Sequence, residues 1–478
     1  MFGSMMFPIF LGITVLLFFL LPIKCRPAVL LFSSYFFCGF ISLQALAALI
    51  VVSVWVWAEG IWIERLGKKG KNNHSRAAAI SAVGICILVL AIFKYGNSVI
   101  SRGGLEGVLG EGILSGLIMP VGLSFYLFQA IGYLADIASG KSHAEKNFFY
   151  LGCFLAFFPK LVSGPIEREG DFIPQMKKLG EVKFWDRGRL STAFTYMLWG
   201  YFMKMVVADR LAIQVNILFD RMQEFDSFWL VMGALFYTIQ IYCDFAGYSY
   251  IAIGCAQIFG IQLTQNFKAP YQAASITEFW RKWHVSLSGW LRDYLYIPLG
   301  GSRKGFGRKC ANTMIVFLVC GMWHGAGMHF VAWGILHGLY SVADSIIRRK
   351  GWEIPAGRFI TFTEVAVAWI FFRAESLRQA LRYIYYMATA GIHPEQMKNM
   401  QEMLGLDMPE MIIVGFGIIL VWLADELCNR KQMHFPFLIQ QRKNTVRYTI
   451  FYLLLIAIFI FGVYGSGYHT EQFIYMQF

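Results

Sequence analysis

Long apolar runs separated by short polar loops dominate this chain of 478 residues. The clearest runs read FPIFLGITVLLFFLLPI, LQALAALIVVSVWVWAEGIWI, AAAISAVGICILVLAIF, MIIVGFGIILVWLA and TIFYLLLIAIFIFGVYG. They approach the roughly 20 apolar residues that an α-helix needs to cross a bilayer. Helices satisfy their backbone hydrogen bonds within one segment and can therefore span lipid. The pattern predicts an all-α polytopic membrane protein with about ten to twelve spanning segments.

Charged residues are few and unevenly placed. They make up 15% of the chain, whereas roughly a quarter of a soluble protein is charged, so a soluble fold is excluded. The formal net charge is +13, but the basic residues are divided among short loops, which argues against a nucleic-acid partner. Basic loops stay in the cytoplasm, which predicts a multi-pass membrane protein with both termini outside. The basic loops are 24–26, 65–76, 303–309, 348–350 and 442–447.

The chain divides by polarity and shows no large soluble segment. We expect one transmembrane domain made of N-terminal spans (1–112), a core (113–347) and C-terminal spans (348–478). Gly, Pro, His and aromatic residues crowd the core. Irregular backbone at membrane depth is tolerated only against protein or a water-filled cavity, so we expect the core to line a cavity. The stretches predicted to be surface loops or short interfacial helices are 97–112, 164–190 and 391–410.

Cysteine and histidine spacings do not predict a metal site. The nine cysteines show no C-x-x-C pairing and most lie in apolar runs, so neither disulfides nor a zinc ribbon is expected. His324, His329 and His337 are five and eight residues apart, which does not match the i, i+4 spacing of a helical zinc site. The first apolar run lacks both a basic start and a small-residue cleavage site, so no cleaved signal peptide is expected.

The stretch ITEFWRKWHVSLSGWLRDYLYIPLGG, 276–301, is far more polar than its surroundings. A continuous helix would place Trp280, Trp283, Leu287 and Trp290 on one stripe. It would place Arg281, His284 and Ser288 on a neighbouring polar stripe. An interfacial helix, with tryptophans at headgroup depth and cations reaching water, is the alternative interpretation.

A second polar group lies in CGMWHGAGMHFVAWGILHG, 320–338, where three histidines occur in an apolar segment. Ionisable groups within a spanning region usually face an internal cavity, which makes them functional candidates. His324 stands out because small neighbours, Gly321 and Gly325, leave room for a substrate or another chain segment. A histidine hydrogen-bonded between helices is the alternative.

Two further groups place single polar residues in apolar runs. Residues 120–137 contain Ser124, Gln129, Tyr133 and Asp136, and residues 241–271 contain Asp244 and Asn266. Single buried polar residues more often tie helices together than perform chemistry, and we favour that interpretation here.

These four groups occur in an order that resembles a known family. Together with FFPKLVSGPIERE (157–169), GYFMKMVVADRLA (200–212) and the terminal FIYMQF, they resemble the membrane-bound O-acyltransferase family. The similarity is to the branch with the alginate O-acetylation and teichoic-acid D-alanylation membrane subunits. LRDYLYIPLGGSRKG is more similar to the acetylating members, which commonly have Asp where this chain has Tyr250.

The resemblance implies a fold and an activity. The fold is a bundle of about eleven transmembrane helices with short re-entrant or interfacial helices around a central tunnel. The activity is membrane-embedded O-acyl transfer, of acetyl by this similarity, onto a hydroxyl of a cell-envelope polysaccharide. The acyl group can instead pass to an extracellular acyl-handling partner protein. The implied donor is acetyl-CoA or an acyl-phosphopantetheine carrier protein of the cytoplasm, with no permanently bound cofactor.

The resemblance also implies site residues within the core, which makes it the catalytic core. His324 in W-H-G and His284 in WRKWH match the family's two characteristic polar positions. Histidine has an unperturbed pKa of about 6.5 and suits proton transfer at working pH, so His324 is the predicted general base. His284 is predicted to orient the donor or to hydrogen-bond the oxyanion. Arg281, Lys282 and Arg292 are predicted to attract donor phosphates. The other predicted tunnel or substrate residues are Trp280, Trp283, Ser288, Asp293, Trp323, Gln129 and Tyr133.

Three alternatives remain at this point. One is D-alanyl transfer to teichoic acid. Another is a non-enzymatic transporter in which the histidines relay protons or bind substrate, although the inverted repeat common in transporters is absent. The last is an inactive scaffold that recruits an extracellular partner, which the presence of both His284 and His324 disfavours.

Overall fold

The computed structural model describes residues 6–103, 119–352, 355–398, 405 and 407–463. Within these ranges the regular elements are helical, which confirms the predicted all-α class. Two π-helical turns interrupt the α-helices, at Phe202–Ala208 and Arg292–Tyr296. The α-helices are α1 Met6–Leu20, α2 Arg26–Ile41, α3 Leu43–Lys68, α4 Asn72–Gly103, α5 Leu123–Ala138, α6 Phe148–Ala156, α7 Phe158–Leu161, α8 Glu169–Lys177, α9 Arg187–Tyr201, α10 Asp209–Asp220, α11 Ser227–Ile258, α12 Ile276–Lys282, α13 Val285–Leu291, α14 Phe306–His324, α15 Met328–Arg349, α16 Gly357–Arg373, α17 Leu377–Thr389, α18 Pro394–Lys398, α19 Met408–Lys431, α20 Phe435–Gln440 and α21 Asn444–Phe461.

Six helices of the described ranges are long and apolar enough to cross a membrane: α3, α4, α11, α15, α19 and α21. Two shorter apolar helices, α1 and α5, accompany them. The polytopic membrane fold is therefore confirmed. The count of about eleven spans and the central tunnel remain predictions.

The three stretches expected to be loops or interfacial helices differ in outcome. In 97–112, α4 continues to Gly103, and 104–112 lies outside the described residues. The stretch 164–190 contains the short helix α8, but residues 164–167 and Glu169 are buried, so this part of the stretch is not a surface loop. The stretch 391–410 contains α18, as the interfacial-helix prediction allows. Residues 399–404 and 406 and the terminal FIYMQF lie outside the described part of the chain.

The chain forms two compact units. Unit 1 consists of Met1–Ala193 with Ala252–Thr264, and unit 2 consists of Phe194–Ile251 with Gln265–Phe478. The expected single transmembrane domain with its three stretches remains a prediction.

Unit 1 is built around α2, α3, α5 and α6, which pack against one another. The approach of α3 to α5 requires a glycine at position 60. A Cβ atom there would lie 2.8 Å from a ring carbon of Tyr133. The facing surfaces of α3 and α5 are therefore matched by size: a glycine on one helix and a tyrosine on the other.

Unit 2 contains a tight crossing of α14 and α15. A Cβ on Gly321 would lie 2.4 Å from the carbonyl oxygen of Phe330, and a Cβ on Gly334 would lie 2.4 Å from that of Phe317. The two backbones can approach this closely only because both positions are glycine. The room that the sequence predicted beside Gly321 is thus filled by α15, and this crossing fixes the end of α14, where His324 lies.

Candidate active site

Residues 276–301 do not form the continuous helix on which the two stripes of side chains depend. α12 ends at Lys282, Trp283 is extended (φ −98°, ψ 129°), and His284 adopts the left-handed conformation (φ 43°, ψ 53°) before α13 begins. The predicted stripes of tryptophan and polar residues are therefore broken at Trp283. A non-glycine residue in this conformation costs on the order of 1–3 kcal/mol, and such residues cluster at functional sites.

Asn266 accounts for the break. Its carbonyl oxygen accepts a hydrogen bond from the backbone N–H of Val285 at 3.0 Å. Its side-chain oxygen accepts one from the N–H of Ser286 at 3.1 Å. Two residues on, the N–H of Lys268 donates to the carbonyl of Lys282 at 3.0 Å. The segment 266–268 thus occupies backbone groups that a continuous helix would use itself, and it holds His284 between two short helices.

His284 is buried, with 1% of its surface exposed. The edge of its ring faces Phe245, with centroids 4.8 Å apart and planes at 84°. The indole of Trp323 lies 6.4 Å away. The imidazole is therefore held in an aromatic environment and not at a headgroup surface, which removes the simple interfacial-helix interpretation for this residue.

His324 is the last residue of α14 and is 4% exposed. Gly325 follows with an extended backbone, so the helix stops there. The imidazole packs against Trp323 at 4.7 Å, Trp333 at 5.0 Å and Phe372 at 5.0 Å. Trp323 consequently touches both predicted catalytic histidines, and the fold brings His284 and His324 to one indole from positions 40 residues apart in the chain.

A third histidine, His337, ties this cluster to α12. The indole N–H of Trp280 donates to Nδ1 of His337 at 3.3 Å. If Nδ1 accepts, Nε2 carries the proton. Trp333 lies 4.8 Å from His337 and 5.8 Å from Trp280, so the aromatic packing runs from His324 through Trp333 to Trp280. His337 is thus a histidine hydrogen-bonded between two helices, α12 and α15, which is the alternative interpretation given above for a histidine in this segment.

A cavity of about 950 Å³ adjoins this cluster on the α12 side. Trp280, Val285 and Phe317 form its apolar part, and His324 is not part of its lining. Lys309 and Phe317 both line it and are eight residues apart on α14, so the cavity follows the helix for about 12 Å at 1.5 Å per residue. Hydroxyl groups line it as well: Thr277, Ser288, Thr313, Ser341 and Ser345.

The cavity is strongly cationic. Arg292 is paired with Asp293 at 2.8 Å and Arg348 with Asp344 at 2.9 Å. The lining also includes Arg281, Lys309 and Arg349. None of these three forms an ion pair with a carboxylate of the described residues. Arg349 and Lys309 instead lie over the ring of Phe306, at 4.5 and 5.8 Å from its centroid.

Other predicted residues of the 276–301 stretch take separate positions. Ser288 lines the cavity, with its hydroxyl donating to the carbonyl of Trp283 at 3.4 Å. Trp283 is 1% exposed and stacks on Phe279, 5.5 Å between centroids. Lys282 is not part of the cavity lining; it pairs with Glu278 at 2.6 Å.

Gln129 and Tyr133 lie in unit 1 and are used in hydrogen bonds there. The Oε1 atom of Gln129 accepts from Nζ of Lys160, and the hydroxyl oxygen of Tyr133 accepts from the N–H of Glu145 at 3.0 Å. Both residues match the interpretation that single buried polar groups tie helices together. Among the described residues, no three His, Cys, Asp or Glu side chains gather into a metal-binding group.

Comparison with known proteins identifies the family. The profile described as "MBOAT, membrane-bound O-acyltransferase family" matches residues 138–350. The probable alginate O-acetylase AlgI of Pseudomonas putida is 34% identical over 432 residues, which cover 87% of this chain and 85% of that protein. The chain belongs to the membrane-bound O-acyltransferase family.

Two further relatives of this membrane-bound O-acyltransferase are named for other polymers, and one of them for another acyl group. The peptidoglycan O-acetyltransferase of Helicobacter pylori is 35% identical, with 56% of each chain covered. The teichoic acid D-alanyltransferase of Bacillus subtilis is 26% identical, covering 53% of this chain and 67% of its own. Family membership confirms the predicted enzyme, an O-acyltransferase, over the transporter and scaffold alternatives. The roles of His284 and His324 remain predictions.

The sequence alone does not single out several residues that line the cavity or hold His284 in place. Lys309, Arg348 and Arg349 were interpreted only as cytoplasmic loop charges, and Asn266 only as a helix tie. Their position in the chain could have identified them. The basic run 303–309 lies at the start of α14 and the run 348–350 at the end of α15, and these two helices carry His324, His329 and His337.

Proposed function

We propose that this enzyme transfers an acetyl group from a phosphate-bearing thioester to a hydroxyl of a cell-envelope polysaccharide, directly or through an extracellular partner protein. Two relatives are named for O-acetylation, at 34% and 35% identity, whereas the D-alanyltransferase is 26% identical. This difference favours acetyl over D-alanyl. D-alanyl transfer to teichoic acid is the second candidate, supported by that same relative.

The cationic cavity is the observation that carries the proposal. Five guanidinium or ammonium groups and five hydroxyl groups line it, and its apolar part ends at Trp280, beside the histidine cluster. Phosphates favour clustered Arg and Lys side chains, and a thioester donor carries its phosphates on one end and its reactive carbonyl on the other. We assign the cationic part to the phosphates and the apolar part to the arm that leads to the thioester.

The ring of Phe306 favours coenzyme A over a carrier-bound donor. Arg349 and Lys309 both lie over this ring in the cationic part of the cavity. When these cations turn towards the donor phosphates, a planar base can stack on the ring, as bases do at other aromatic platforms. A carrier protein offers a single phosphodiester and no base. Acetyl-CoA therefore uses more of this cavity than an acyl-phosphopantetheine carrier does.

In the proposed reaction, the acceptor hydroxyl oxygen attacks the thioester carbonyl carbon. A C–O bond forms, the C–S bond breaks, and His324 accepts the hydroxyl proton and returns it to the leaving sulfur. General base catalysis of this kind typically contributes about 10²–10⁴ in rate. His284 donates a hydrogen bond to the developing oxyanion or orients the donor. The enzyme would lie in the bacterial inner membrane with the basic loops, and hence the donor, on the cytoplasmic side.

The test is ester formation by the purified protein in lipid nanodiscs. Labelled acetyl-CoA and D-alanyl carrier protein are supplied separately with alginate, peptidoglycan fragments or teichoic acid, and base-labile label on the polymer is counted. We expect acetyl ester from acetyl-CoA, and less from acetyl-pantetheine, which lacks the nucleotide. Ester formation only from the D-alanyl donor would support the second candidate and contradict the first.

A further inference from the structure

The spanning helix α3 contains a carboxylate within its apolar face. Glu59 lies nine residues before the end of the helix at Lys68, which is about 13 Å along the axis. A carboxylate within a spanning helix is costly and usually faces a partner or a cavity. A cation beside Glu59 would offset that cost.

The second acid of α3 shows what a satisfied carboxylate looks like. Glu64, five residues further on, pairs with Lys68 at 2.9 Å and with His143 at 3.0 Å. Glu59, by contrast, has no hydrogen bond or ion pair with any residue of the described ranges. The two acids thus share one helix and differ in pairing.

Glu59 faces a groove of about 460 Å³ between α3 and α4. Trp55 and Trp62 lie on the same face of α3, one turn before and one turn after the carboxylate, and both line the groove. A cation between two indole rings gains cation–π attraction of about 0.5–2 kcal/mol in addition to its ion pair. The α3 wall therefore has the composition of a site for an ammonium or guanidinium group.

The α4 wall of the groove carries four small side chains, Ala77, Ala78, Ser81 and Ala82, between His74 at one end and Ile85 at the other. In membranes, small residues at a helix surface allow another helix to approach closely, and such surfaces are enriched at helix–helix interfaces. The groove therefore combines a cation site with a surface suited to a helix backbone.

The small side chains of the α4 wall favour a helix as the occupant of the groove, because they let another helix backbone approach closely, which a lipid headgroup does not need. A lysine or arginine of that helix can then reach Glu59. We propose that this groove binds the transmembrane helix of another protein, and that a Lys or Arg of that helix pairs with Glu59 between Trp55 and Trp62. This interaction lies within unit 1 and is independent of the proposed acyl transfer.

The test uses the full-length protein in phosphatidylcholine liposomes, with a donor dye on the exposed Cys25. The probe is a synthetic polyleucine transmembrane helix with one lysine about nine residues from its cytoplasmic end and an acceptor dye. The control helix has leucine in place of that lysine. Energy transfer is titrated against the helix-to-lipid ratio.

We expect the lysine helix to bind about three- to thirty-fold more tightly than the leucine helix, as interhelical polar contacts in membranes are worth modest energies. The Glu59→Gln variant should lose this preference, and Trp62→Leu should reduce it. Glu64→Gln, the matched acid of the same helix, should keep it. Thermal unfolding of each variant checks that the fold is intact.

Equal binding of both helices to the unaltered protein would overturn the proposal, as would a preference that survives in Glu59→Gln. The titration is repeated with phosphatidylethanolamine added. If this lipid abolishes the preference, a lipid ammonium occupies the groove and the proposal is wrong. If the preference is unchanged, the partner-helix proposal is supported.

Discussion

Two polar clusters, a buried one in unit 1 and a solvent-accessible one in unit 2, differ in what their side chains do. In unit 1, Nζ of Lys160 donates to Gln129 and to the carbonyl oxygen of Phe154 at 2.5 Å. Glu167 accepts from the N–H of Thr264 at 2.6 Å and from its hydroxyl at 3.0 Å. These polar groups form hydrogen bonds with one another or with the backbone. Their burial therefore does not require a ligand-binding cavity.

In unit 2, by contrast, charged and aromatic side chains line a cavity. Arg281, Lys309 and Arg349 line the cavity of about 950 Å³ without an acidic partner among the described residues. Burial of polar groups therefore does not by itself indicate function in this membrane-bound O-acyltransferase. Cations that line a cavity without a carboxylate are the better indicator, because their charge is left for an anionic ligand.

The largest effect should come from His324. His324→Ala should lower acetyl transfer by about 10²–10⁴, because general base catalysis typically contributes that much. The measurement is the rate of base-labile label transfer to polymer. His393→Ala, which changes an exposed histidine of unit 2, is the control and should keep full activity. Normal transfer by a folded His324→Ala protein would contradict the general-base role.

The next effect should come from the cavity cations. In the double variant Lys309→Ala with Arg349→Ala, the KM for acetyl-CoA should rise about tenfold to hundredfold, because a hydrogen bond to a charged group is worth about 1.5–3 kcal/mol. The value of kcat should change little. Lys304→Ala, a nearby cation outside the cavity lining, is the matched control. An unchanged KM would place the donor phosphates elsewhere.

Gln129 should affect stability and leave catalysis intact. Gln129→Leu removes the side-chain acceptor of the buried Lys160 ammonium, and we expect a loss of about 1.5–3 kcal/mol in the free energy of unfolding. Gln129→Glu, which keeps an acceptor, should lose less. Thermal unfolding in detergent measures both, and the KM for acetyl-CoA should not move. A stable Gln129→Leu variant with an altered KM would instead support the predicted tunnel role.

The smallest effect should come from Tyr133. Tyr133→Phe keeps the ring against Gly60 and removes only the oxygen that accepts from the N–H of Glu145. The expected loss is about 0.5–1.5 kcal/mol, visible as a small drop in the unfolding temperature. Gly60→Ala is the informative counterpart, because its Cβ would overlap that ring and should destabilise the protein more than Tyr133→Phe does.

The sequence by itself determined the all-α membrane class, because spanning segments need long apolar runs, and the family, through motifs in a fixed order. It also pointed to His284 and His324 as the family's two polar positions. It could not predict that α12 would end before His284, since helical periodicity runs unbroken through 276–290. The competing hydrogen bonds come from Asn266, ten residues before that stretch begins.

Only the tertiary structure separated Gln129, which ties helices, from Arg349, which faces a cavity. In the sequence, Gln129 is a single polar residue in an apolar run and Arg349 belongs to the basic run 348–350, and neither pattern shows what surrounds the side chain. Their difference lies in which distant groups surround them: Lys160 accompanies Gln129, whereas Phe306 and Lys309 accompany Arg349. Sequence fixes which side chains are present and how far each can reach, but partners and cavities depend on how helices distant along the chain pack together.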